Sequence, residues 1–187
     1  MNVPGYLYFE FISLLASITL LFRQGVPYYL KLFSPYLLFT LTVEIISWRM
    51  NQAREDNSSL TIYFSAFEFE FYLFALYNFI RTSRMKKIVL SMVILYPVLA
   101  LVNIHFIQVN DFPSISYSLG CLMIVGVCIY YFYELFHLPS SVNLIREPAF
   151  WICTGLMFFI FVVSLYSGYI NYCMMLQILF WRTSQLF

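Results

Sequence analysis

Six apolar runs, each close to the twenty residues that a helix needs to cross hydrocarbon, constrain this chain more than any other feature. They cover about 5–22, 28–48, 60–80, 88–107, 116–137 and 149–170. Hydrocarbon offers backbone amides no partner, so a chain that lives there must close its hydrogen bonds within helices or around a barrel. The runs are continuous and lack the alternation of a barrel strand, which selects helices. With 62% hydrophobic and 10% charged residues, the chain has more apolar surface than one soluble core could hide. The expected fold is therefore all-α, a polytopic transmembrane bundle forming a single domain over 1–187, with the lipid bilayer as its first partner.

The connections are short: Arg23 to Pro27, Arg49 to Ser59, Arg81 to Lys87, Gln108 to Ile115 and Leu138 to Pro148. They leave no room for a soluble domain and make successive helices antiparallel neighbours. Pro148 suits the first turn of the sixth helix beside Glu147, and Asp56, Asn57, Ser58 and Ser59 offer capping oxygens to the third. Pro35 and Pro97 are expected to kink helices two and four. The pairs Ser116 with Gly120 and Ser164 with Gly168 have the small-residue spacing that allows close helix approach. Tyr172 to Trp181 is apolar but half the length of a span, and reads as an interfacial helix or a truncated seventh helix. No charged start and no small-residue cleavage pattern marks residues 1–22 as a removable signal, so the first helix is expected to remain.

Lysine and arginine concentrate on one side. Arg23 and Lys31, then Arg81, Arg84, Lys86 and Lys87, then Arg146 lie at alternate connections; the opposite side has Arg49 and Arg54, offset by Glu55 and Asp56. Cytoplasmic loops keep such an excess, so the expectation is a basic inner turn around Arg84 and an outer N-terminus.

Charge and spacing exclude several functions. The net charge is +1 with no basic stripe, which argues against nucleic acid. The cysteines Cys121, Cys128, Cys153 and Cys173 have no metal-binding spacing and read as small packing thiols. His105 and His137 fall at opposite membrane faces, about 30 Å apart if both helices span, so they cannot share a metal. No HExxH, GxSxG or DxxD-type pattern occurs, and no cofactor is expected. A lipid-modifying enzyme is the last-ranked reading for want of a nucleophile beside a base.

The functional lead is the set of ionisable groups inside the runs, because a charged side chain at the middle of a span costs roughly 2.5–3.5 kcal/mol. Glu10, Glu44, Glu68 and Glu70, with His105, fall in the proposed outer half without a basic residue at their depth. Such a cluster predicts a pocket that binds a proton, a cation or a small ligand. Residues two apart on a helix point about 200° apart, so Glu68 and Glu70 cannot serve one site, and Glu68 is the better partner for Glu44. At the basic end, Glu134 and Arg146 are expected to form a structural salt bridge across the fifth connection.

Particular stretches also resemble known proteins. Pro35-Tyr36-Leu37-Leu38 followed by Glu44, the Tyr63 to Glu68 stretch, the basic turn and Arg146-Glu147-Pro148-Ala149-Phe150-Trp151 occur in an order that resembles small multi-pass membrane proteins of Bacteroidota. The order is also similar to the membrane sensor half of bacterial histidine kinases, which has seven helices and an outside N-terminus. The resemblance implies a stand-alone sensor-like or scaffolding bundle, acting as a homo-oligomer or through a cytoplasmic signalling partner. Within these 187 residues neither a kinase domain nor a full seventh helix is expected, which departs from those sensors. A small transporter or channel subunit using the embedded glutamates is the alternative.

Overall fold

The computed structural model describes residues 4–23, 25–108, 113–137 and 147–164. Six helices account for nearly all of them: α1 Gly5–Phe22, α2 Tyr28–Ala53, α3 Ser58–Phe79, α4 Ser83–Ile107, α5 Ser114–Phe136 and α6 Pro148–Ser164. The first five are long and apolar enough to cross a membrane. The expectation that the sixth run continues to 170, the reading of Tyr172 to Trp181, and Gly168 and Cys173 lie outside the described residues.

The outer surface identifies the solvent. Phe9 is 74% exposed, Leu122 71% and Phe158 69%, and similar large apolar side chains cover the outward face of every helix. In water such a surface would be a large aggregation patch; in lipid it is the expected face. Several hydroxyls within the spans return to carbonyls of their own helix, as Ser13 does to Phe9 at 2.9 Å and Thr42 to Leu38 at 2.8 Å, so they enter hydrocarbon already paired.

Two packing centres divide the bundle. The larger joins α3 to α6 through Leu73 and Leu76, Val89 and Tyr96, Ile124, Val127 and Cys128, and Cys153, each almost fully buried. Its tightest crossing is α3 on α5, where a Cβ added at Gly120 would stand 2.8 Å from the ring of Phe69. Ser116, one turn earlier, is buried beside it, so this small-residue pair does bring two helices close. The smaller centre holds α1 to α2 through Leu7, Leu14 and Leu41, with Leu37 and Trp48 at its edge. A buried hydrogen bond from the Ser34 hydroxyl to the Ser17 carbonyl, 2.7 Å, ties the same two helices.

Between these centres α2 meets α3 mainly through rings. Tyr36 and Phe71 stack with centroids 3.8 Å apart and planes 1° from parallel, and Phe33, Phe39, Phe64, Phe67 and Tyr72 extend the contact along the seam. Rings of this size hold two helices together at a wider separation than the Gly120 crossing permits.

Local chemistry sets the helix ends. Pro35 has no N–H to give the carbonyl of Lys31, and α2 is broken there into Tyr28–Lys31 and Phe33–Ala53 with a turn at Leu32. Pro97 lies inside α4. That helix ends in a π-helical turn, Asn103–Ile107, closed by Gln108 N–H donating to the Asn103 carbonyl at 2.8 Å. The helix-three cap comes from Asp56, whose Oδ1 accepts from the Ser58 N–H at 2.9 Å and the Ser58 hydroxyl at 2.5 Å. Asn57 instead reaches back, its Nδ2 donating to the Ser47 hydroxyl at 2.6 Å.

Two sequence boundaries move. Helix two continues to Ala53 rather than stopping near 48, because Trp48 still packs on the α1–α2 core and Arg49 lies over its ring at 5.9 Å. Helix four starts at Ser83 rather than near 88, so Arg84, Lys86 and Lys87 sit on its first turns and not in a loop. Basic side chains are poor company for a helix N-terminus, and a carboxylate from another helix offsets them. That carboxylate is Glu134 of α5: its Oε2 accepts from the Arg81 N–H at 3.0 Å, and its Oε1 from the Thr82 N–H and the Thr82 hydroxyl, both at 2.6 Å. Arg81 in turn pairs with Glu147 at 3.2 Å. The expected partner of Glu134, Arg146, lies outside the described residues. Among those described, Glu134 serves the α3–α4 corner.

Candidate functional site

Three of the carboxyl groups singled out in the sequence converge on the seam between the α1–α2 pair and α3. Glu10 comes from the first third of α1, Glu44 from the second half of α2, and Glu68 from the middle of α3. Glu10 lies within electrostatic reach of both Glu44 and Glu68. Among the described residues no basic side chain acts on any of the three.

Tyrosines supply the polar partners. Glu68 Oε1 accepts from the Tyr72 hydroxyl at 2.9 Å, one turn along the same helix, and from the Tyr36 hydroxyl at 3.3 Å across the seam. Tyr36 is buried, and its ring is clamped by Phe71. Tyr6 of α1 is the polar neighbour of Glu44. Glu10 has the fewest partners: its Oε2 is buried with no hydrogen bond among the described residues. A carboxylic oxygen left this way in a low-dielectric seam is one to which a proton or a cation would add a favourable contact.

The two remaining candidates lie elsewhere. Glu70 is directed toward α4, where its neighbour is Tyr96, and its Oε2 is buried without a hydrogen bond among the described residues. The separation from Glu68 is what 200° around a helix requires. His105 sits on the π-helical turn at the end of α4, exposed, with Nε2 3.5 Å from the Tyr63 hydroxyl. Its ring partner is thus on α3, and no hydrogen bond or ring contact joins it to the three seam carboxyls among the described residues. Asp111 lies outside the described residues.

Sequence reasoning gave the tyrosines of the seam no polar role. The spacing of Glu68 and Tyr72, four apart on one helix face, was the available signal. Tyr36 carried none, since its partner is 32 residues away.

No group of three or more His, Cys, Asp and Glu side chains has metal-binding geometry among the described residues. Cys121, Cys128 and Cys153 are free thiols, the last two fully buried in the α3–α6 core. No protein-family model, curated protein or solved structure matches the chain, so its arrangement of carboxyls and tyrosines is read from its own geometry.

Proposed function

We propose that this chain is a non-enzymatic, sensor-like membrane bundle whose seam carboxyls, Glu10, Glu44 and Glu68, take up a proton or a small cation. The observation that carries the reading is the meeting of three acidic side chains from three helices with tyrosine hydroxyls and, among the described residues, no base. Occupancy of the seam acts on the position of the α1–α2 pair, because that pair has its own small core and meets α3 through rings alongside the carboxyls. In this reading the lysine and arginine excess at the start of α4 faces the cytoplasm of a bacterial cell, and the N-terminus lies outside. The basic end, with Arg84 and Lys87 exposed, is then the surface offered to a cytoplasmic signalling partner or to a second copy.

Infrared difference spectra of the full chain in lipid, recorded through a pH titration, test this directly. A titrating carboxyl C=O band in the wild type that is lost in Glu68→Gln supports the reading. Glutamine keeps the acceptor oxygen that Tyr36 and Tyr72 use, so the fold is retained. An unchanged band in Glu68→Gln and in Glu10→Gln overturns it. Proton flux across reconstituted vesicles, abolished by the same substitutions, would assign the cluster to transport instead.

A further inference from the structure

A second polar region, separate from the acidic seam, lies where the N-terminus of α3 meets the π-helical turn of α4. There a cavity of about 140 Å³ is lined by Ser59, Tyr63, His105 and Gln108 together with Ile62, Ile104 and Pro113. It opens at the ends of two apolar spans, the depth at which lipid headgroups lie. Its volume suits a group larger than one water molecule.

The hydrogen bonds around Gln108 fix what the cavity can bind. Gln108 Oε1 accepts from the Ile115 N–H at 3.1 Å and from Asn103 Nδ2 at 3.0 Å. A backbone N–H can only donate, so the oxygen of the Gln108 amide is assigned without ambiguity and both its acceptor sites are used. What remains of that side chain is its NH₂ group, a donor. The Asn103 amide is fixed by the same logic, and its Nδ2 also donates to the buried Ser116 hydroxyl at 3.1 Å. Ser59 and Tyr63 add hydroxyls, and His105 adds Nε2 beside the Tyr63 oxygen. Among the described residues no carboxylate lines the space, and Asp56 nearby is committed to Ser58. The orphan N–H groups of the first turn of α3 place a positive helix end on the same side.

We propose that this cavity binds an oxyanion of the phosphate class, held by the Gln108 amide NH₂ and the Tyr63 and Ser59 hydroxyls, with the His105 ring orienting the Tyr63 hydroxyl. A ligand with acceptors only selects the histidine form that carries its proton on Nε2, which donates to the Tyr63 oxygen and leaves the Tyr63 proton for the ligand. Phosphate chemistry at this depth has two sources, a lipid headgroup and free phosphate.

Gln108→Glu discriminates a binding site from a merely structural corner. Glutamate keeps the acceptor that Ile115 and Asn103 need and replaces the donor group with a second, negative acceptor. The full chain, delipidated in detergent, is titrated with inorganic phosphate and, separately, with dihexanoyl-phosphatidylglycerol, and binding is followed by native mass spectrometry. Wild type is expected to bind at least one probe, with Gln108→Glu weakened roughly tenfold or more and Tyr63→Phe by a smaller factor. Binding of the lipid alone identifies a headgroup site, and binding of both identifies a site for the phosphate group itself. Failure of wild type to bind either probe, or equal binding by wild type and Gln108→Glu, overturns the proposal.

Discussion

At the scale of single residues, Glu134 shows how one carboxylate can replace a local cap. Its two oxygens receive three donors from Arg81 and Thr82, so the first turn of α4 is anchored by α5 and not by its own sequence. Glu134→Ala leaves those donors to water, and the expected loss is about 1–2 kcal/mol, the range for charged hydrogen bonds near solvent. Thermal unfolding in detergent checks it, with a fall of roughly 2–4 °C per kcal/mol. Glu134→Gln is expected to lose less, since one acceptor survives. Asp56 gives a pH-dependent counterpart outside the spans. The Ser58 hydroxyl and N–H hold its carboxyl below the usual carboxylate range. A depressed folded value means that its contribution is present above the unfolded value of about 3.9 and is lost as pH falls through the folded value. Melting curves of wild type and Asp56→Asn are therefore expected to differ near neutrality and to converge below pH ~3. A difference that persists at the lowest pH would show that Asp56 acts other than through its charge.

At the scale of helices, the α3–α5 crossing is the most exacting contact. A methyl group at 120 meets the Phe69 ring at 2.8 Å, and that ring also packs edge-on with the buried Tyr96. Gly120→Ala is expected to destabilise by about 1–3 kcal/mol, and Phe69→Leu in the same chain to recover part of that loss. The helices themselves were legible in the sequence, since unbroken apolar runs of spanning length leave the backbone few alternatives. The start of α4 was less so. Arg84, Lys86 and Lys87 look like loop residues to a hydropathy reading, but Lys86 lies over the Tyr77 ring at 5.0 Å and Glu134 neutralises the helix end. Both are contacts made by other elements, which local composition does not encode. The π-helical turn at Asn103 was hidden for the same reason: it depends on Gln108, Ser116 and Ile115 acting together.

At the scale of the whole molecule, the helix order puts the α2–α3 connection and the start of α5 at one end, and the α3–α4 connection and the start of α6 at the other. Single cysteines at Asn57 and Thr82, in a chain with its native cysteines replaced, are thus expected to react with membrane-impermeant reagents from opposite faces. Labelling of both from one face would contradict the spanning arrangement. The common depth of Glu10, Glu44 and Glu68 is legible in the sequence, whereas the place of His105 depends on which neighbour α4 chooses, and sequence spacing does not specify that choice. The ring-filled seam carries a consequence for assembly. Seven aromatic pairs, of order 0.5–1.5 kcal/mol each before losses from ordering, join α2 to α3, while α1 and α2 keep a separate core. A gene cut at Glu55 would then yield two fragments, each able to insert independently, that find one another within the bilayer and copurify; replacing Tyr36 and Phe71 with leucine would leave both fragments inserted but unable to recover each other.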